Sequence, residues 1–164
     1  MVENIKLVIF SFLSSLGFAI VFRVERKNLF LAGLGGALTR CVYILLLQAT
    51  DQIFFQCLFS AVFASLYAEL MAIHQKMPST VFLYPSILPL VPGSLLYYIA
   101  GNLISSNISA TLDYLGQLVL SLGGICLGFV LISSFTYYRR IYKMGEQLES
   151  HFRRWMNSRQ AGRR

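Results

Sequence analysis

Charge is what this sequence has least of. Only 13% of its 164 residues are Asp, Glu, Lys or Arg, against about 25% in a soluble domain. At 56% hydrophobic residues and a mean hydropathy of +0.63, there is too little charge to cover a water-facing surface. That excludes most soluble enzymes. Cysteine is also scarce. Cys41, Cys57 and Cys126 form no CxxC pair, and each lies inside an apolar run. The low charge excludes a disulfide-stapled secreted domain, a metal or redox role has no support in the cysteine spacing, and the three are expected as small buried packing residues. No helix carries a metal-ligand pair, a Ser/His/Asp set or a phosphate-binding glycine loop, so no enzyme, metal or cofactor is expected. The period-two alternation of an outer-membrane barrel is missing as well.

What is present is a set of long apolar runs. A bilayer-crossing helix needs about 20 mostly apolar residues. Five runs qualify, at 5–22, 29–49, 53–73, 79–101 and 115–138, and within them only Lys6, Arg40 and Glu69 are charged. The pattern predicts an all-α integral membrane protein with five transmembrane helices in a domain spanning 1–138. A polar, basic tail follows at 139–164. The first run is read as a retained helix and not a signal peptide. Arg23, Arg26 and Lys27 flank it directly, with no clear small-x-small cleavage site.

The net charge of +7 carries more information in its distribution than in its sum, and no nucleic-acid partner is expected. Basic residues cluster after the first span (Arg23, Arg26, Lys27), after the third (Lys76) and in the tail. The loops after the second and fourth spans have none. Twelve of the 14 basic residues thus fall on one side, with Lys6 alone on the other. By the positive-inside rule the amino terminus faces out and the carboxyl terminus the cytoplasm. In the tail, Ile141, Met144, Leu148, Phe152, Trp155 and Met156 recur every three or four residues. This predicts a basic amphipathic helix lying on anionic lipid headgroups, with docking on a partner as the alternative and no ordered structure over 157–164.

Two features inside the membrane could carry chemistry. Arg40 sits near the middle of the second span, where an arginine costs at least about 2.5–3.5 kcal/mol. It must face the bundle interior or water. Its functional reading is a counter-charge for an anionic substrate; its structural one is an ion pair, with Glu69 as the candidate, or hydrogen bonds to freed carbonyls. The fourth span reads Tyr84-Pro85-Ser86-Ile87-Leu88-Pro89-Leu90-Val91-Pro92-Gly93-Ser94. Three prolines so close together cannot sit in one straight helix. The span is predicted to break around 89–93, with a second half-helix starting at Pro92. Pro85, Pro89, Pro92 and Gly93 are the candidate hinge. The amides of Gly93 and Ser94 would then point a helix amino end, which attracts anions, into the mid-membrane. Hydroxyls of Tyr84, Ser86, Ser94, Tyr97 and Tyr98 could join them. Glu69, near the cytoplasmic end of the third span, is a candidate for proton coupling or simply reaches water. Gln48, Gln56 and Gln117 are expected at the interface. Small residues (Gly33, Gly35 and Gly36; Ala61, Ala64 and Ala68; Gly124 and Gly128) mark close helix contacts.

The segments Gly17-Phe18-Ala19-Ile20-Val21-Phe22-Arg23-Val24 and Pro89-Leu90-Val91-Pro92-Gly93, with Arg40 between them and Tyr97 after, resemble the threonine/serine exporter (ThrE-type) family. Within it, the chain is similar to the small membrane subunit, such as the small component of the two-component succinate exporter. The resemblance implies a larger ThrE-like partner subunit with its own spans and a soluble amino-terminal region, and export of threonine, serine or a dicarboxylate. The tail is longer and more basic than in short-tailed members. The expectation is a subunit of a secondary exporter in the bacterial cytoplasmic (inner) membrane, with Arg40, Gly93, Ser94 and Tyr97 binding the substrate carboxylate. The alternative is a non-transporting scaffold that stabilises the partner holding the path. A channel fits less well, because no ring-forming charged motif recurs.

Overall fold

The computed structural model describes the backbone of residues 2–161, and side chains over 3–139 and 141–142. Every regular element in it is helical. Helices α1 (Val2–Val21), α2 (Arg26–Ala49) and α3 (Ile53–Gln75) are joined by turns of a few residues, which makes sequence neighbours antiparallel in space. The fourth run consists of α4 (Thr80–Ile87), a single 3-10 turn over Leu88–Leu90 and α5 (Gly93–Ile104). Helix α6 runs Ile108–Ala161. Among the described residues four helices are long and apolar enough to cross a membrane, and a fifth crossing exists if Thr80–Leu90 and Gly93–Ile104, bent by 43°, form one span.

The chain divides into two compact units, residues 1–132 and 133–164. In the first, α2 is the central element and packs against α1, α3 and α4. Its glycines make this possible. A Cβ on Gly36 would collide with the Ser15 hydroxyl of α1 and meet the Pro85 carbonyl of α4 at 3.2 Å; one on Gly35 would collide with Ser86 of α4 and Tyr67 of α3. Gly124 and Gly128 do the same for α6. A Cβ there would lie 2.6 Å from the Phe54 carbonyl oxygen and 2.7 Å from that of Leu58. The small residues of α2 and α6 are thus spent on contacts inside this unit. Dispersion and backbone approach join helices where lipid removes the hydrophobic driving force.

Three helices end alike. Arg23, Lys76 and Ser106 adopt left-handed φ of 55–57°. The amides of Val24, Met77 and Asn107 reach back to the carbonyls of Ala19, Ala72 and Asn102. This is the Schellman pattern, which satisfies carbonyls left over at a helix end. Helix α6 begins earlier than the hydropathy suggests, because Asn107 caps it. Its Oδ1 accepts from the Ala110 amide at 3.4 Å and the Ser109 hydroxyl at 3.1 Å. The apparent loop at 102–114 is therefore mostly helix.

In the second unit the backbone is helical to Ala161, and the expectation for 162–164 lies outside the described residues. The Arg139 guanidinium lies 5.5 Å from the centre of the Phe135 ring. The amphipathic stripe expected from Met144 onward lies outside the residues whose side chains are described. So does its proposed contact with lipid headgroups.

Candidate functional site

The break in the fourth run is built from proline chemistry. Pro89 has no N–H to offer the Pro85 carbonyl four residues back. That carbonyl accepts instead from the Ser15 hydroxyl of α1, at 2.7 Å and fully buried. Ser86 turns its own hydroxyl to the Phe82 carbonyl at 2.7 Å. Pro85 therefore anchors α4 to α1, and the change of direction comes later, at Val91 and Pro92. There the Val91 amide donates to Leu88 O at 3.2 Å, Gly93 N to Val91 O at 2.8 Å and Leu95 N to Pro92 O at 3.2 Å. No side chain caps α5. Among the described residues, the Ser94 amide has no acceptor.

A cavity of about 550 Å³ opens at this break. Its wall includes Pro89 to Leu95 from the break, Arg40 and Tyr43 from α2, Ser11 and Ser14 from α1, Cys57 from α3 and Ser121 from α6. The structure thus brings Arg40, Gly93 and Ser94 to one space, with Pro89 and Pro92 beside them. The Arg40 guanidinium lies over the Tyr43 ring at 5.1 Å. That cation–π contact holds a charge over an electron-rich face and leaves the donor edges of the guanidinium for another group. Among the described residues no carboxylate pairs with Arg40. An ion pair with Glu69 is not what balances it. Two of the cavity's lining residues, Cys57 and Leu90, belong to an apolar cluster with Ala61 and Ile125.

Other candidates lie elsewhere. Tyr97 does not line the cavity; it is 76% exposed and meets the Tyr98 ring edge-on. The lining stops at Leu95, on the first turn of α5. Glu69 is half-buried on α3 and outside the lining. Gln56, expected at the interface, is 2% exposed, and its Nε2 donates to the Thr50 carbonyl, closing the turn between α2 and α3. Cys126, expected to be buried, is exposed. It lies two residues from both Gly124 and Gly128, which puts it on the opposite side of α6 from the seam with α3.

Ser11, Ser14, Tyr43 and Ser121 are lining residues that the sequence did not single out. Hydropathy hides a serine in an apolar run. A search for serines spaced like Ser11 and Ser14, on one helical face, would have flagged the α1 pair.

These features describe an all-helical, multi-pass membrane protein with a polar cavity between its helices and one cationic side chain in that cavity. The chain belongs to the threonine/serine exporter (ThrE) family, whose profile it matches over residues 7–135. The match covers Arg40, the whole of the broken fourth run and α6 past its glycine seam. No curated protein and no solved structure matches the chain.

Proposed function

We propose that the chain is a subunit of a secondary exporter in the bacterial cytoplasmic membrane that moves a small amino acid or dicarboxylate outward. Arg40 binds the substrate carboxylate, and the first turn of α5 supplies amides at Gly93 and Ser94 to the same group. The observation that carries this reading is the shared cavity: a guanidinium and a helix amino end, neither with a carboxylate partner or side-chain cap among the described residues, line one space. Interrupted helices of this kind present their amino ends to anionic groups in secondary transporters. Family membership makes the direction export.

A larger ThrE-like partner completes the path. In support of this, Ser14, Gly93 and Ser94 are lining residues that are also exposed at the surface of this chain. Polar backbone at mid-membrane depth is tolerated only against protein or a wet cavity, so another protein surface belongs there. The positive-inside count keeps the amino terminus outside and the tail in the cytoplasm.

The test is export of labelled threonine, serine and succinate from cells. The chain is expressed alone, with a larger family subunit, and as Arg40→Ala in that pair. The reading expects export by the intact pair and loss of export with Arg40→Ala at unchanged membrane insertion. Normal export by the Arg40→Ala pair would remove the site from this chain and favour a scaffold role.

A further inference from the structure

We infer that the open side of the cavity, between α1 and α5, is the docking face for a transmembrane helix of the larger exporter subunit. That helix carries small residues along the contact and hydrogen-bonding side chains where it passes the break. This deepens the exporter reading above and rests on it.

Two independent observations meet on this side. The first is unpaired polarity. Ser14 of α1 and Gly93 and Ser94 of α5 line the cavity and are exposed. Pro89 and Leu90 line it too, and among the described residues their carbonyls have no donor. Pro92 has no N–H to offer Pro89, and the Gly93 amide donates to Val91. Ser11 is 8% exposed and lines the same space, and among the described residues its hydroxyl has no partner. Acyl chains offer none of these groups a hydrogen bond, and irregular backbone facing lipid does not occur at this depth.

The second is glycine that nothing in the chain fills. Gly17 lies three residues from Ser14 on one face of α1. Gly93, Tyr97 and Gly101 succeed each other every four residues on one face of α5. A Cβ on Gly17, Gly93 or Gly101 meets nothing within 4 Å, whereas one on Gly36 or Gly128 collides with a neighbouring helix. Glycine is unfavourable inside a helix, and these three have no contact within the chain that requires it. The back of α1 is different, with Ile5, Ile9, Leu13 and Ile20 large and exposed, as lipid demands. In the five-span arrangement α5 ends on the side where α1 begins. Gly101, then Ser94 with Ser14, then Gly17 therefore follow one another across the bilayer. One crossing helix passes them all, and the glycines let its backbone come close.

A second copy of this chain does not fit the face. Among the described residues Arg40 is the sole charged side chain in the lining. Two copies meeting here would join two guanidinium groups in one low-dielectric space with no carboxylate between them. A different protein that brings hydroxyl, amide or carboxylate groups completes the wall.

The experiment uses the assembled exporter in cells, with a benzophenone side chain in place of Tyr97. Illumination is expected to join this chain to the larger subunit. An adduct of two copies of this chain, or of lipid alone, would overturn the inference. Three variants give a second readout. Gly17→Leu and Gly101→Leu lie on the face. Gly116→Leu is the control, because its Cβ also meets nothing within 4 Å and it sits two residues from Tyr114, which stacks on Tyr98 of α5 at 5.3 Å. Gly116 is therefore on the far side of α6 from α5. Gly17→Leu and Gly101→Leu are each expected to lower recovery of the larger subunit with this chain by about tenfold or more, the scale of overfilling a packed contact. Thermal unfolding of the solubilised chain alone should not change, and Gly116→Leu should leave recovery as it was. The same recovery in all three variants would overturn the inference. Labelled efflux from the same cells separates this inference from the exporter reading. Efflux by the parent pair with neither crosslink nor loss of recovery overturns the docking face alone. A crosslink and a loss of recovery in a pair that exports nothing support the face and overturn the exporter reading.

Discussion

Arg40 lies in the apolar interior of α2 and has an aromatic face beneath it in place of a counter-ion. Among the described residues it has no carboxylate partner, which is what the proposed role in binding a substrate carboxylate requires. Arg40→Lys should keep the charge and lose the planar fork that grips a carboxylate through two bonds. The expected outcome is normal insertion with export reduced, and a further loss in Arg40→Ala. Removing one member of a desolvated charge pair costs about 2–5 kcal/mol, or roughly 30-fold and more in rate. Initial rates of labelled efflux at matched expression check this. Ser15 makes a second test at this scale. Ser15→Ala leaves the Pro85 carbonyl without its donor. Stability should fall by about 0.6–2 kcal/mol, the range for hydrogen bonds between membrane helices. Gly36→Ala should cost more, because its new methyl meets the Ser15 hydroxyl and the Pro85 carbonyl together. Thermal unfolding of the detergent-solubilised chain reads both.

At the scale of elements, the two halves of the fourth run differ in how they are held. Helix α4 buries Phe82, Leu83, Pro85 and Ser86. Helix α5 buries Ile99 alone. The lower half is fixed to α1, α2 and α3, and the bend at Val91 and Pro92 is where direction changes. Restoring amide donors with Pro89→Ala and Pro92→Ala together should let the helix run through the break. Export should then be lost while insertion and solubilised stability are retained. The seam of α6 on α3 gives the opposite outcome. Gly128→Leu drives a side chain into the Leu58 carbonyl and should destabilise the fold in the same thermal assay, with export lost as a consequence. The elements themselves could be read from the sequence wherever hydropathy is the governing signal, as in α1 to α3. Reading failed where local hydrogen bonding decides. Asn107 starts α6 well before its apolar run, and Asn102 donates back to the Tyr98 carbonyl at 2.8 Å, carrying α5 on to Ile104. The site divides in the same way. Arg40 and the prolines announce themselves by being out of place in a membrane. Ser11, Ser14 and Tyr43 reach the cavity through the rotation of each helix about its axis, whereas Tyr97, on the face of Gly93 and Ser94, misses it because it lies a turn beyond the lining, which stops at Leu95. Single-residue hydropathy carries no record of that rotation.

For the whole molecule, the governing quantity is where charge can exist. By the positive-inside reading basic residues gather at one side of the spans, and among the described residues Arg40 is the one cation in the cavity wall. An amino terminus outside places Ser106 in an outer turn and Lys76 in a cytoplasmic one. In a cysteine-free chain, Ser106→Cys should react with a membrane-impermeant maleimide on intact cells. Lys76→Cys should react only after the cells are opened. The reverse pattern would invert the orientation and with it the direction in which the cavity must be reached. The exposed lining at Ser14, Gly93 and Ser94 also predicts that the cavity is shielded from lipid only in the assembled exporter. The central claim is that Arg40 and the first turn of α5 hold one ligand between them. The most direct test labels a cysteine at Ser94 in a cysteine-free chain within the exporter, using a small thiol reagent with and without the transported carboxylate. The account predicts that the carboxylate slows labelling, and that Arg40→Ala abolishes this protection. Labelling that proceeds at the same rate with and without the carboxylate in an actively exporting assembly would contradict it.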